Sequence, residues 1–243
     1  MTGERHLAII PARGGSKRFP RKNLAVFDGT PLVARAVQVA REAGIFHRIV
    51  VSTEDQEIAA VAREAGAEVH ARDARLASDS ARVVDVCRAV LDECARGGER
   101  YDVFCVLLPT SPFRTAEHVR AGLAVLHDKR ANVAMSVTVF PHVPFWAVRE
   151  TRGYLTLYWG RRQLKSRDRL PTLYRHNGVV LWSRADAFRR SGDFYGRRVA
   201  AYHMSLEESV DVDEPLDLEF AEFLAERRRR GSIDPRRAPV FKS

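Results

Sequence analysis

The run Leu7–Pro11 is continuously apolar and meets a Gly-rich basic loop, after which Pro31–Ala43 carries apolar residues at helical spacing and stops at Gly44. Arg48–Ser52 is a second, β-branched strand, Glu57–Ala65 a helix stopped by Gly66, and Ala67–His70 a short strand. Ala81–Ala95 follows as an amphipathic helix and Tyr101–Leu108 as a fully buried strand ended by Pro109. Ala116–His127 returns to helical spacing, and Val133–Phe140, Val179–Trp182 and Val199–His203 read as strands. Leu216–Arg227 is a last helix, begun just after Pro215. This alternation predicts an α/β fold with a mostly parallel sheet and right-handed crossovers. Ligands of such sheets bind at the carboxyl ends of the strands, which is where Thr110–Arg114 falls. From Pro141 to Arg175 the periodicity fails, and aromatic residues mix with arginines; an excursion for acceptor binding or dimer formation is expected there.

The chain has 243 residues, 45% of them hydrophobic, enough for one domain with a continuous core. Forty Lys and Arg against 31 Asp and Glu leave a formal charge of +9, which suggests an anionic partner. Much of that excess sits in Arg227–Arg230, Arg236 and Arg237, a basic tail over 227–243, so bulk charge says little about the rest. A nucleic-acid-binding protein is the alternative this charge raises, but no recognisable binding module accompanies it, and no nucleic acid is expected. Cys87, Cys94 and Cys105 are odd in number, lack CxxC spacing and read as core thiols. The polar start lacks the regions of a signal peptide, and no run approaches the ~20 apolar residues of a membrane span, so a cytoplasmic location without membrane contact is expected.

Four motifs carry chemistry. The first is the loop Pro11–Asn23. Gly14 and Gly15 imply special backbone angles and let Ala12–Ser16 approach a phosphate chain, while Arg13, Lys17 and Lys22 can neutralise it. It suits a nucleoside triphosphate but is neither GxxxxGK[ST] nor GxGxxG, which counts against a P-loop NTPase and a nicotinamide-dependent enzyme; a solvated basic turn is the alternative. The second is Val210–Asp213. Asp211 and Asp213 lie on one side of an extended segment, and two carboxylates with substrate phosphates suit Mg²⁺; an acidic helix start would also account for them. The third is Arg72 with Leu76–Ser80, donors and acceptors for a base and ribose or, equally, a helix cap. The fourth is Pro109–Arg114, whose Thr110, Ser111 and Arg114 suit an anionic ligand, although turn chemistry explains it nearly as well.

Together these residues resemble the bacterial CMP-sialic acid synthetases, or acylneuraminate cytidylyltransferases. The similarity is collinear from Ile9 to about Phe223: IPARGGSKR-PRKN, VST-D with EIA, GAEV followed by Arg72 and LASD, PTSPFR, Tyr174–Gly178 as Y-NG, and VDVD. The resemblance implies a Rossmann-like three-layer sandwich of the nucleotidyltransferase type, a homodimer, and Mg²⁺-dependent transfer of CMP from CTP to a small acidic acceptor. It implies that Arg13, Ser16, Lys17 and Lys22 grip the triphosphate, with Asn23, Arg72 and Ser80 on the nucleoside. It implies further that Asp211 and Asp213 hold the metal, and it places Tyr174 and Asn177 beside the acceptor. Arg13, Lys17 and Lys22 then carry the catalytic charge neutralisation. The chain departs from the family at Leu108, where sialate-type members commonly have Gln. An alkyl group there leaves sugar polar groups unpaired. Arg161–Arg169 is also strongly cationic, and its Arg167 suits a compact anion. A nonulosonate-type 2-keto sugar acid is thus the first expected acceptor and a phosphonate, such as phosphonoformate, the second.

Overall fold

The computed structural model describes residues 3–77, 81–164 and 169–231. The strands are β1 (His6–Pro11), β2 (Val26–Phe27), β3 (Thr30–Pro31), β4 (Arg48–Thr53), β5 (Glu68–Ala71), β6 (Val103–Val106), β7 (Val133–Val139), β8 (Val148–Thr151), β9 (Tyr154–Leu157), β10 (Tyr174–Arg184) and β11 (Val199–His203). The α-helices are α1 (Leu32–Ala43), α2 (Gln56–Glu64), α3 (Val83–Arg96), α4 (Ala116–Asp128), α5 (Ala185–Ser191) and α6 (Pro215–Arg229). Seven strands form the main sheet in the order β11-β7-β10-β6-β1-β4-β5. Only β10 runs against its neighbours in that sheet.

Strand β1 shows why its sequence is apolar without alternation. Ala8 and Ile10 join the core beneath α1, α2 and α4, whereas Leu7 and Ile9 join the core that contains α3 and α5 residues. With both faces covered, every position must be apolar, and all four residues have zero exposure. This is the expected three-layer α/β sandwich. The carboxyl ends of β1, β4 and β6 meet at one edge, so the loops leaving them share one space.

Two expectations need correction. The strand foreseen at Val179–Trp182 is the middle of an eleven-residue strand that begins at Tyr174. Its polar start, Tyr-Arg-His-Asn, hid it, and a register irregularity against β7 between His176 and Leu181 breaks the alternation. The stretch after Pro141 is also more regular than its periodicity implies. β8 and β9 form an antiparallel hairpin closed at Arg152 and Gly153, both at positive φ. The hairpin has no buried face to impose an alternating pattern: Tyr154, Leu155, Tyr158 and Trp159 are all exposed.

The segment from Met204 to Asp213, which returns the chain to the strand-end edge, is fixed by Glu208. Its carboxylate accepts from the Ser205 N–H (3.0 Å) and hydroxyl (2.8 Å) and faces His118 Nε2 at 3.3 Å. His118 Nδ1 accepts from the Thr115 N–H in the capping box of α4, which leaves Nε2 as the donor. The bond from His118, outweighing partial burial and aided by Ser205, holds the Glu208 carboxyl down to about 2. A depressed carboxyl stabilises the fold above its ordinary value of 4.5 and loses that contribution as pH falls through about 2. Glu208→Gln is expected to lower the melting temperature at neutral pH and to converge on the parent protein as the pH approaches 2, as read by thermal unfolding across that range.

Candidate active site

The loop after β1 is held by the strand beside it. Ala12 is buried and its N–H donates to Ser52 O at 3.0 Å. The Gly14 N–H donates to Glu54 Oε1 at 2.7 Å, and a Cβ on Gly14 would lie 2.6 Å from Asp55 Oδ2. Close approach, not a positive φ, therefore demands glycine at 14, and Gly15, exposed with open space around its Cα, requires neither. The expectation of special backbone angles at these two glycines is corrected accordingly. Asn23, buried, donates from Nδ2 to Arg13 O at 2.8 Å and ties the far end of the loop to its start.

These residues form one wall of a cleft of about 290 Å³. Arg13, Ser16, Lys22 and Asn23 line it from the loop, Arg72 from the end of β5, Leu108 and Thr110 from the end of β6, and Asp211 and Asp213 from the segment before α6. Four parts of the chain that the sequence motifs marked separately thus share one space. The aspartates reach it because the Val212 N–H donates to Thr110 O at 2.8 Å while the Val212 side chain is fully buried. With the middle residue turned into the protein, its two neighbours are both among the cleft walls.

The two carboxylates differ. Asp213 accepts from Lys22 Nζ at 2.7 Å and Arg18 Nη2 at 2.9 Å. Partial burial opposes its ionisation, but Lys22 and Arg18 outweigh it and hold the carboxyl below its usual range. At Asp211 burial dominates, helped by the charge of Asp213, and pushes the carboxyl up despite a hydrogen bond with Thr110 and the charges of Lys22 and Arg175. Asp211 Oδ1 is buried with no hydrogen-bond partner. A dehydrated carboxylate oxygen beside a second carboxylate fits a hard divalent cation, whose remaining ligands would be phosphate oxygens and water.

Some expected ligands stand elsewhere. Arg114 is buried and donates from Nη1 to Leu108 O (2.9 Å) and Val179 O (3.0 Å); burial lowers its pKa to about 10, which leaves it cationic at neutral pH. It braces β6 against β10 and does not line the cleft. Ser111 is likewise buried. Asn177 is buried too: Oδ1 accepts from Ser136 Oγ at 2.5 Å and Nδ2 donates to Ser209 Oγ at 2.8 Å. Its amide joins β10, β7 and the segment that carries the aspartates, so it serves the acceptor side only through the frame. Tyr174 is exposed and packs edge-on to His203 at 4.6 Å, and Lys17 is exposed on the loop outside the cleft walls. Ser80 and Arg167 lie outside the described residues. Sequence reasoning missed Glu54, Arg18 and Arg175. Arg175 had a signal, since it lies two residues before Asn177 in a strand and so shares its side.

A larger, mostly apolar hollow of about 540 Å³ lies apart from this cleft, between Val139–Phe145 and Leu170–Leu173. It sits at the base of the β8–β9 excursion and contains none of the charged cleft residues.

A family model described as cytidylyltransferase matches residues 7–233. The chain is 29% identical over 230 residues to an N-acylneuraminate cytidylyltransferase of Escherichia coli, covering 94% of this chain but 54% of that protein. It is 32% identical over 232 residues to the CMP-N,N'-diacetyllegionaminic acid synthase of Legionella pneumophila, covering 94% of this chain and 100% of that one. Among solved structures, a CMP:2-keto-3-deoxy-manno-octonic acid synthetase complexed with CTP superimposes with a TM-score of 0.69 at 16% identity, over 93% of this chain and 100% of that chain. At that identity the likeness shows the fold.

Truncating Asn177 leaves Ser136 and Ser209 without their partner in a buried network. Asn177→Ala is expected to cost about 2–3 kcal/mol of stability in chemical denaturation. A stable variant whose only defect is acceptor binding would return Asn177 to the cleft.

Proposed function

The chain belongs to the cytidylyltransferase family, and we propose on that premise that it transfers CMP from CTP to a nonulosonate-type 2-keto sugar acid with release of pyrophosphate. The observation that carries this reading is the orphaned carboxylate oxygen of Asp211, set with Asp213 in the same cleft as the cationic loop after β1. The names of the relatives, which act on sugar acids, support the acceptor class.

Asp211 and Asp213 would hold Mg²⁺, which when bound neutralises phosphate charge and polarises the phosphorus. The chain's own part is positioning and charge. Arg13, Ser16 and Lys22 on the cleft wall face the triphosphate, and Asn23 and Arg72 face the nucleoside. The acceptor hydroxyl attacks the α-phosphorus in line, the bond to the bridging oxygen breaks, and pyrophosphate leaves with added charge. Lys22 and Arg18, which neutralise Asp213 in this structure, are cations placed to follow that charge. The exposed apolar and aromatic residues of the β8–β9 excursion, Leu155, Tyr154, Tyr158 and Trp159, support a homodimer formed through that face. Among the described residues no helix is long and apolar enough to cross a membrane.

Leu108 favours a second reading of the acceptor. Its side chain lies on the cleft wall, and a Cβ on Gly178 would come within 2.9 Å of its Cδ1. An alkyl group packed there offers no hydrogen bond to a hydroxylated sugar and suits a small phosphonate better.

Pyrophosphate release measured with each nucleoside triphosphate, Mg²⁺ and a panel of sugar acids and phosphonates is expected to occur with CTP and one acceptor class. Release with phosphonates alone would select the second reading, and release with no pair would overturn both. Asp211→Ala and Asp213→Ala are each expected to reduce turnover at least about 100-fold with the fold intact by circular dichroism. Lys22→Ala should lose more in rate than in CTP affinity, because the charge it offsets grows in the transition state.

A further inference from the structure

Arg72 is aimed by a buried chain of side chains that begins outside the cleft. Strands β4 and β5 pair in parallel with Ser52 beside His70, and Arg72, two residues beyond His70, returns to the same side. Ser52, His70 and Arg72 are all buried, at 0%, 6% and 7% exposure. Arg72 donates from Nη2 to Ser52 O at 2.6 Å and from Nε to Ser52 Oγ at 3.2 Å. Ser52 Oγ lies 2.9 Å from His70 Nδ1, and His70 Nε2 lies 3.5 Å from a carboxylate oxygen of Glu93 on α3.

Donor and acceptor counting gives this chain a direction. An arginine Nε–H can only donate, so Ser52 Oγ accepts there and its own hydrogen must go elsewhere. The Glu93 carboxylate can only accept, which puts the His70 ring proton on Nε2 and leaves Nδ1 bare to take the Ser52 hydrogen. Burial, with Arg72 and Arg96 adding to it and Glu93 opposing, lowers the pKa of His70 and keeps the ring neutral. The bare nitrogen fixes the hydroxyl, the hydroxyl fixes Nε of the guanidinium, and Nη1 is engaged by neither bond to Ser52.

We propose that His70 is a positioning residue for the nucleotide: through the Ser52 hydroxyl it holds the Arg72 guanidinium in the orientation that receives CTP. The proposal rests on the reading of Arg72 as a nucleotide-binding residue. His70 is not among the cleft-wall residues, and Arg72 is the wall residue that its partner Ser52 holds by a side-chain bond.

The test is the Kd for CTP by calorimetric titration of the full chain, with thermal unfolding recorded for each variant. His70→Phe keeps a ring and removes the acceptor; it is expected to weaken CTP binding roughly tenfold. His70→Asn, whose Oδ1 can take the Ser52 hydrogen, should restore the Kd to within about twofold. Ser52→Ala breaks the same link from the other side and should match His70→Phe, which keeps the test open if the phenylalanine variant does not fold. Added to Arg72→Ala, the substitution His70→Phe should weaken binding no further. Unchanged affinity in His70→Phe and Ser52→Ala, with Arg72→Ala impaired, would overturn the proposal and leave the nucleotide reading standing. Equal losses in His70→Asn and His70→Phe would reduce His70 to packing. Unchanged affinity in Arg72→Ala would remove Arg72 from the nucleotide site and the proposal with it.

Discussion

The clamp of the Val212 N–H on Thr110 O brings into one cleft residues that lie far apart along the chain. Without it, the aspartates at 211 and 213 would belong to a loose connection before α6. With it, Lys22 meets Asp213 across 191 positions of sequence. The clamp is a backbone bond, and the side chain that locks it, Val212, packs with Phe27, Leu32, Phe113, Ala221 and Leu224 in a small core of its own. That core lies apart from the two under the main sheet. The placing of the two aspartates in the cleft thus depends on an apolar cluster that contains neither of them.

A second layer of polar groups supports the walls from behind. Arg114, Asn177, Ser136, Ser209 and Glu208 lie outside the cleft walls, and each ties a wall-bearing segment to a rigid strand or helix. Burying such groups is costly unless their hydrogen bonds are made, and here almost all are made. The exceptions are informative. Among side-chain atoms left unpartnered are Asp211 Oδ1 at the cleft and Glu54 Oε2 behind the loop, both anionic oxygens close to cationic side chains. Ser111 Oγ, Arg114 Nε and Thr138 Oγ1 are unpartnered as well, but of these residues only Asp211 lines the cleft.

Most of the sheet was legible because burial on both faces forces continuous apolar runs, as in β1, β4 and β6. The loop after β1 and the aspartate pair were legible because glycine, lysine and alternating carboxylates have few structural uses at strand ends. What escaped was the role of polar residues in an interior. Asn177 and Arg114 look like ligands in a sequence because amide and guanidinium groups bind ligands well; the same bonding capacity serves equally well to join strands. A linear pattern contains no measure of depth, and depth separates the two uses. The strand β10 was foreshortened for a related reason: of the polar residues that begin it, Tyr174 and His176 are exposed and Asn177 faces a buried network, so no apolar alternation marks its start. Ser80 and Arg167 fall outside the described residues, so their expected roles rest on the motifs alone.

Leu108 and Gly178 show how the acceptor side is shaped by exclusion. Gly178 has a φ of +73° and stands where a Cβ would press on Leu108 at 2.9 Å, so the two positions are coupled: the leucine fills the space that the glycine leaves. Exchanging leucine for an amide would keep roughly the same volume but place polar atoms against Gly178, in a strand whose neighbour Asn177 is already engaged by Ser136 and Ser209. Arg13, Lys22 and Arg72 give the cleft wall a cationic character, and Leu108 interrupts it with an alkyl surface that can only exclude or pack.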